Sequence, residues 1–119
     1  MSTTPLRILV ADRDPETRAS LYGPLEGAGY RVATLEPDAK ALEHVARYRP
    51  GLVLSDARPG DPEDAAFLAA LRRISPGSRV VLLGAGTGAP SDGRLPKPVP
   101  TEALLGLVRR MLPREEAVA

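Results

Sequence analysis

The sequence lacks cysteine and tryptophan, and it contains only one histidine, three tyrosines and one phenylalanine. Without cysteine, the chain cannot form disulfides, thiolate metal centres or a cysteine nucleophile. A single histidine, His44, is too few for a histidine-rich zinc site and makes a serine–histidine–aspartate triad a poor hypothesis. His44 lies within a helical pattern, where a surface or boundary role is expected.

A charge excess and long apolar runs are also missing. Lysine and arginine number 16 and aspartate and glutamate 15, so the formal net charge is only +1. This balance predicts no direct contact of the domain with nucleic acid, because binding to phosphate backbones needs a basic excess. No apolar run approaches the roughly 20 residues of a membrane span, and the first five residues show no signal-peptide core. We therefore expect a cytoplasmic domain without membrane contact.

Apolar runs and helical patterns alternate along the 119 residues. Short runs rich in valine, isoleucine and leucine predict strands at Leu6–Ala11, Arg31–Leu35, Leu52–Ser55 and Arg79–Leu83, with a very short fifth strand around Arg94–Pro96. Amphipathic patterns predict helices over residues 15–28, 38–48, 62–74 and 101–112. Regular alternation predicts a parallel sheet with helices on both faces.

Proline and glycine mark the ends of these elements. Pro113 ends the last helical pattern, so we place one domain at residues 1–113 and a flexible tail or linker start at residues 114–119. Within the first helix, Gly23-Pro24 predicts a kink or break, because proline removes a helical hydrogen bond.

The segment between the fourth and fifth strands is short and rich in glycine. Residues 84–93 read GAGTGAPSDG and have no apolar period, so a helix at this place is predicted to be missing or reduced to a loop. The glycines loosely match a phosphate-binding loop, but no helical pattern follows to receive a phosphate at its amino end. Nucleotide binding or enzymatic activity on this fold is only a remote alternative.

Charged residues follow three of the predicted strands. Asp12 and Asp14 follow the first, Asp56 the third and Lys97 the fifth. Ligands of open parallel sheets bind beyond the carboxyl ends of the strands, so these side chains should converge on one pocket. An aspartate beside a second acid and a lysine can accept a phosphoryl group as an acyl phosphate. A divalent cation held by the acids would bridge the phosphoryl oxygens.

Three stretches, ILVADRDPETR, PGLVLSDARPGD and LPKPVPTEALL, resemble the receiver domains of two-component response regulators over residues 6–112. The resemblance implies a flavodoxin-like, doubly wound α/β fold with five parallel strands in the order 2-1-3-4-5, here without a full fourth helix. It further implies that Asp56 is the phosphoacceptor and that Lys97 balances the phosphoryl charge. Asp12, Asp56 and the backbone carbonyl of Arg58 would hold Mg²⁺ if the ion binds.

Four positions depart from the family's pattern. Arg13 stands where the second acid, usually a direct metal ligand, is expected, and a guanidinium cannot bind a cation. Gly84 replaces the switch serine or threonine, and Arg94 replaces an aromatic residue. Arg58-Pro59 falls about one residue before the usual Met-Pro pair. These departures weaken the magnesium site, and we expect no bound cofactor.

Two interpretations of the pocket follow. In the favoured one, Arg13 pairs with Asp56 or Asp12 in place of a metal, and the domain acts by protein contact without magnesium-dependent phosphorylation. In the other, a histidine kinase phosphorylates Asp56. Asp14 is expected to cap a helix and to contribute only weakly to the pocket. The expected partners are signalling proteins, a histidine kinase or an effector, with a homodimer as a further hypothesis and no enzymatic activity.

Overall fold

A computed structural model describes residues 6–58, 60–84 and 92–113. Its elements, in chain order, are β1 (Arg7–Ala11), α1 (Pro15–Gly27), β2 (Arg31–Leu35), α2 (Ala39–Tyr48), β3 (Leu52–Ser55), α3 (Pro62–Ile74), β4 (Arg79–Leu83), β5 (Gly93–Leu95) and α4 (Thr101–Met111). The predicted bounds agree with these to within one residue. No helix among the described residues is long and apolar enough to cross a bilayer.

All five strands are parallel and lie in the order β2-β1-β3-β4-β5, which confirms the predicted sheet. The three inner strands β1, β3 and β4 are buried almost throughout, as is typical of strands covered on both faces. In the register, Ala11 at the end of β1 lies opposite Ser55 at the end of β3. The residues that follow these two strands therefore emerge side by side at one edge of the sheet.

Helices cover both faces of the sheet. One core joins alternate strand residues such as Ile8 and Leu54 to α1 and α4. The other core joins the intervening residues, such as Leu9 and Val53, to α2 and α3. This division follows from the two-residue period of a strand, which sends successive side chains to opposite faces. The doubly wound α/β architecture is confirmed.

The first three helices begin with aspartate caps. Asp14, Asp38 and Asp61 each accept a backbone N–H from the first turn of their helix, at 2.8 to 3.0 Å. These bonds satisfy amide groups that have no partner inside the helix. Pro15 and Pro62 follow two of the caps, at positions where the missing N–H carries no cost. The caps fix the turns that carry the site residues.

Helix α1 runs past Pro24 without a break, so the break predicted at Gly23-Pro24 is wrong, and the kink stays a prediction. Leu21 and Leu25, on either side of the proline in sequence, are almost completely buried in the core shared with α4. Their burial favours a continuous helix and offsets the lost hydrogen bond. Gly23 contributes as well, because a residue without a side chain lessens the clash that proline imposes on its predecessor.

The connection between β4 and β5 is too short for a helical crossover. Nine residues, 84–92, separate the strands, whereas a crossover that contains a helix needs about ten to twelve or more. The described part of the chain has four helices, and this number and the short connection agree with the predicted loss of the family's full fourth helix. Asp92 ties β5 to β4, because its Oδ2 accepts the N–H of Val80 at 2.8 Å. Residues 85–91, Pro59 and the predicted tail 114–119 lie outside the described residues.

Candidate functional site

Asp12, Asp56 and Lys97 lie at the carboxyl edge of the sheet, after β1, β3 and β5. Asp12 is fully buried, and Nζ of Lys97 lies 2.8 Å from its Oδ2 and 3.1 Å from its Oδ1. Oδ1 also accepts the N–H of Asp14 at 2.8 Å. Without these partners, the buried carboxylate would be costly to desolvate. A cis peptide bond joins Lys97 to Pro98.

The guanidinium of Arg13 bridges two carboxylates. Its Nη1 lies 3.4 Å from Oδ2 of Asp56, and its Nη2 donates a hydrogen bond to Oδ1 of Asp64. The backbone N–H of Arg13 donates to the same oxygen of Asp56, at 3.3 Å. Burial opposes the charged guanidinium, but the hydrogen bond to Asp64 and the negative charges of both carboxylates outweigh it and raise the pKa of Arg13. Of the two pairings predicted for Arg13, the structure shows the one with Asp56.

Asp64 also belongs to the site, although it lies in a helix and does not follow a strand. It is the third residue of α3 and is only 3% exposed. In addition to the Arg13 guanidinium, it accepts the backbone N–H of Arg58 at 2.8 Å. It shares the buried face of α3 with Phe67, Leu68 and Leu71. This helical spacing is readable in the sequence, and an acid on an apolar face indicates a buried partner.

Asp14 acts as the cap of α1. It accepts the hydroxyl of Thr17 at 2.9 Å and a backbone N–H of the first turn at 3.0 Å. These two hydrogen bonds, the one from Thr17 foremost, lower the pKa of Asp14. Its side chain makes no direct contact with the other carboxylates of the site among the described residues. Nearby, Arg18 donates to the backbone carbonyls of Asp12 and Arg13, at 2.6 and 3.2 Å, and so braces the turn after β1.

The residues expected to hold Mg²⁺ are engaged with other groups. Asp12 is in its ion pair, and Oδ2 of Asp56 accepts from Arg13. The backbone carbonyl of Arg58 accepts the N–H of Asp61 at 3.0 Å. Over the described ranges, no three histidine, cysteine or carboxylate side chains are arranged to hold a metal. Mg²⁺ prefers oxygen ligands, and the guanidinium at the second-acid position supplies none.

One carboxylate oxygen of the site is free of these contacts. Oδ1 of Asp56 is buried and accepts no hydrogen bond from the described residues. The Asp56 side chain as a whole is 13% exposed. Asp56 therefore has one oxygen that is hydrogen-bonded to Arg13 and one that accepts no hydrogen bond within the described chain.

Gly84 and Arg94 stand where the family has a switch serine or threonine and an aromatic residue. Gly84 has a φ of +97°, a left-handed conformation that favours glycine, so serine or threonine would be strained there. Arg94 lies opposite Leu82 in the β4–β5 pair, and its Nη1 is buried without a hydrogen-bond partner in the described part of the chain. Neither position supplies the hydroxyl or the aromatic ring that the family uses.

The chain is similar to curated response regulators. It is 36% identical over 122 residues to the response regulator MprA of Mycobacterium leprae (strain TN), covering 92% of this chain and 52% of that protein. The transcriptional regulatory protein GlrR of Escherichia coli (strain K12) is 33% identical over 85 residues, which cover 71% of this chain and 19% of GlrR. The chain therefore spans about half the length of the MprA relatives that it matches. No protein-family model matches it.

Solved structures share the fold. A response regulator from Thermotoga maritima matches with a TM-score of 0.77 at 17% identity, covering 93% of this chain and all of that one. The chemotaxis response regulator CheY4 of Vibrio cholerae matches with a TM-score of 0.77 at 24% identity, over 92% and 100% of the two chains. The receiver domain of nitrogen regulatory protein C is 26% identical, with a TM-score of 0.74 over 87% and 91%. The chain belongs to the receiver domains of response regulators.

Proposed function

We propose that this receiver domain signals by protein contact in a two-component system, and that Arg13 takes the place of a magnesium ion at its acidic site. The observation that carries the proposal is the Arg13 guanidinium, which bridges Asp56 and Asp64. A metal-dependent receiver would need an acid and a cation in that space. Here the chain supplies the positive charge itself.

Two physical arguments favour this mode over magnesium-dependent phosphorylation. A guanidinium donates hydrogen bonds, but it cannot coordinate the oxygens of a transferring phosphoryl group as a metal does. Phosphorylation also switches a protein only if the modified state makes contacts that the other state lacks. Gly84 and Arg94 remove the family's usual groups for such contacts.

The partners in this proposal are signalling proteins, either a histidine kinase or an effector. Support comes from the relatives, which are named as response regulators or as a transcriptional regulatory protein. We assign the domain a binding role and no reaction of its own, and we place it in the cytoplasm. Because the chain spans about half of MprA, these roles are proposed for the domain alone.

A second candidate function is phosphorylation of Asp56 by a histidine kinase. The uncommitted Oδ1 of Asp56 favours it, because a carboxylate oxygen without a donor keeps its lone pairs for nucleophilic attack once this buried atom is exposed to a phosphoryl donor. In this case Lys97, held beside Asp12, would have to leave its partner in order to contact the phosphoryl group.

Amide NMR spectra distinguish the two functions. Wild type and Asp56→Asn are titrated with Mg²⁺ and then with beryllofluoride, a phosphoryl mimic. We expect no shifts clustered around Asp12, Asp56 and Lys97 in the wild type. Clustered shifts that vanish in Asp56→Asn would refute the proposal and establish the second candidate.

Arg13→Asp gives the complementary gain-of-function test. Removing the guanidinium frees Asp56 and Asp64 and adds another carboxylate, so we expect magnesium-dependent shifts at the site of this variant. Arg58→Asp is the matched control, because it makes the same charge change beside the site and leaves its backbone carbonyl in place. An equal response of both variants to Mg²⁺ would show that charge alone, rather than the position of Arg13, decides metal binding.

A further inference from the structure

The near-neutral net charge conceals a segregation of charge between the two edges of the sheet. The carboxyl edge carries the acidic site and the aspartate caps. At the opposite edge, where the strands begin, lies a group of arginines, here termed the basic edge: Arg7, Arg31, Arg47, Arg49 and Arg79. Arg7, Arg31 and Arg79 are the first residues of β1, β2 and β4. Arg47 lies in the last turn of α2, and Arg49 caps its carboxyl end.

The arginines of the basic edge are not neutralised within the described chain. Four of them are exposed, and Arg7 is half-buried. Three ion pairs of the described residues, Arg13–Asp56, Arg13–Asp64 and Lys97–Asp12, lie at the carboxyl edge, and none of the three involves a member of the basic edge. Asp92, which accepts from Val80, and Glu26, which bonds to Tyr22, keep their negative charges, so five arginines stand against these two acids. Among the described residues, the basic edge therefore carries an excess of exposed positive charge.

Tyr48 orders two members of the basic edge. Its ring centroid lies 4.6 Å from Cζ of Arg7 and 5.3 Å from Cζ of Arg47. The ring of His44 lies 4.6 Å from the same centroid. These cation–π and ring contacts hold the guanidiniums in place before any ligand binds, which reduces the entropy lost on binding.

Helix dipoles account for only part of this charge. An arginine in the last turn of a helix, such as Arg47 in α2, offsets the negative end of the helix dipole. Arg7, Arg31 and Arg79 begin strands, where no comparable dipole acts. Across the order β2-β1-β3-β4, Arg31 and Arg79 are separated by three strand spacings, roughly 14 Å. The basic edge is therefore broad as well as charged.

We propose that the basic edge binds the phosphate backbone of duplex DNA. Protein–protein interfaces deplete charge at their centre, whereas nucleic-acid interfaces are polar and strongly positive. All five cations are arginines, whose planar donors match phosphate oxygens. The ring of Tyr48 already contacts two arginines and His44, which favours phosphate contacts over base stacking. This proposal replaces the expectation, drawn from the net charge, that the domain makes no direct contact with nucleic acid. It does not depend on the function proposed for the acidic site.

The test is fluorescence anisotropy with a labelled duplex of mixed sequence. Binding should not depend on sequence and should weaken steeply between about 50 and 200 mM salt. Arg31→Gln should weaken binding by roughly three- to tenfold and reduce the salt slope by about one, and Arg31→Gln/Arg79→Gln by about two. Lys40→Gln, an exposed change of equal charge in the first turn of α2, should have little effect.

Several results would overturn the proposal. They are no binding of the duplex by the wild type, or an equal loss in Arg31→Gln and Lys40→Gln. Tighter binding to phosphatidylserine vesicles would point instead to a membrane surface, and tighter binding to polyglutamate to an acidic protein. Circular dichroism melting of each variant verifies that the fold is intact, which these surface changes should leave unaltered.

Discussion

The buried contacts of Asp64 lead to a measurable prediction for stability. Asp64→Ala removes the acceptor of the Arg58 N–H and one of the two carboxylates that hold Arg13. The hydrogen bond from the Arg58 N–H is part-buried and has a charged acceptor, and bonds of this kind contribute about 1.5–3 kcal/mol. The Arg13 side chain is 43% exposed, so solvent screening reduces its share. We expect the free energy of unfolding to fall by about 2–3 kcal/mol, mostly through the Arg58 N–H.

Urea unfolding followed by circular dichroism measures this loss. Glu63→Ala is the matched control, because it removes one exposed acid from the same helical turn. It should cost less than about 1 kcal/mol, since only the interaction with the helix dipole is lost. The loss of unfolding free energy in Asp64→Asn, which keeps an acceptor oxygen, should lie between the losses in Asp64→Ala and Glu63→Ala. Equal losses in Asp64→Ala and Glu63→Ala would refute the reasoning from buried hydrogen bonds.

Two further predictions concern His44 and Pro24. Burial foremost, and then the positive charge of Arg7, lower the pKa of His44 from 6.5, so stability is lost as the pH falls below about 6.5. Arg7→Gln should raise this pKa in an NMR titration of the single histidine, and an unchanged value would contradict the electrostatic coupling. Pro24→Ala restores a helical N–H in α1 and should raise the free energy of unfolding by about 1–3 kcal/mol. An unchanged free energy of unfolding in urea would show that Gly23 already relieves the steric clash at Pro24.

The sequence predicted the parts of the site that follow from strand direction. Parallel strands place their carboxyl ends at one edge, so Asp12, Asp56 and Lys97 could be assigned to that edge from their positions alone. Asp64 could not be assigned in this way, because its contact with Arg13 depends on how α3 packs over the sheet. The pairing of Arg13 with Asp56 was one of two alternatives, and only the three-dimensional arrangement selects between them.

Local rules omit burial and long-range placement. Pro24 by itself predicts a kink or break, but the helix continues past it, with Leu21 and Leu25 buried in the core on either side. Net charge by itself predicts no affinity for a polyanion, whereas the proposal of DNA binding depends on the fold, which sends strand starts and strand ends to opposite edges. Composition contains no information on that separation, since it depends on the order of elements in the sheet.

The charge balance of the site explains why arginine is tolerated at position 13. The family's pattern combines an acid there with a divalent cation, and these two charges sum to one positive charge. Arg13 supplies the same single positive charge without a metal, so the formal charge of the site equals that of the family's metal-loaded pattern. Only coordination is lost, because a guanidinium held by Asp56 and Asp64 cannot follow the oxygens of a transferring phosphoryl group. The stability of the wild type should therefore not respond to Mg²⁺, whereas Arg13→Asp should be stabilised as Mg²⁺ rises above its dissociation constant.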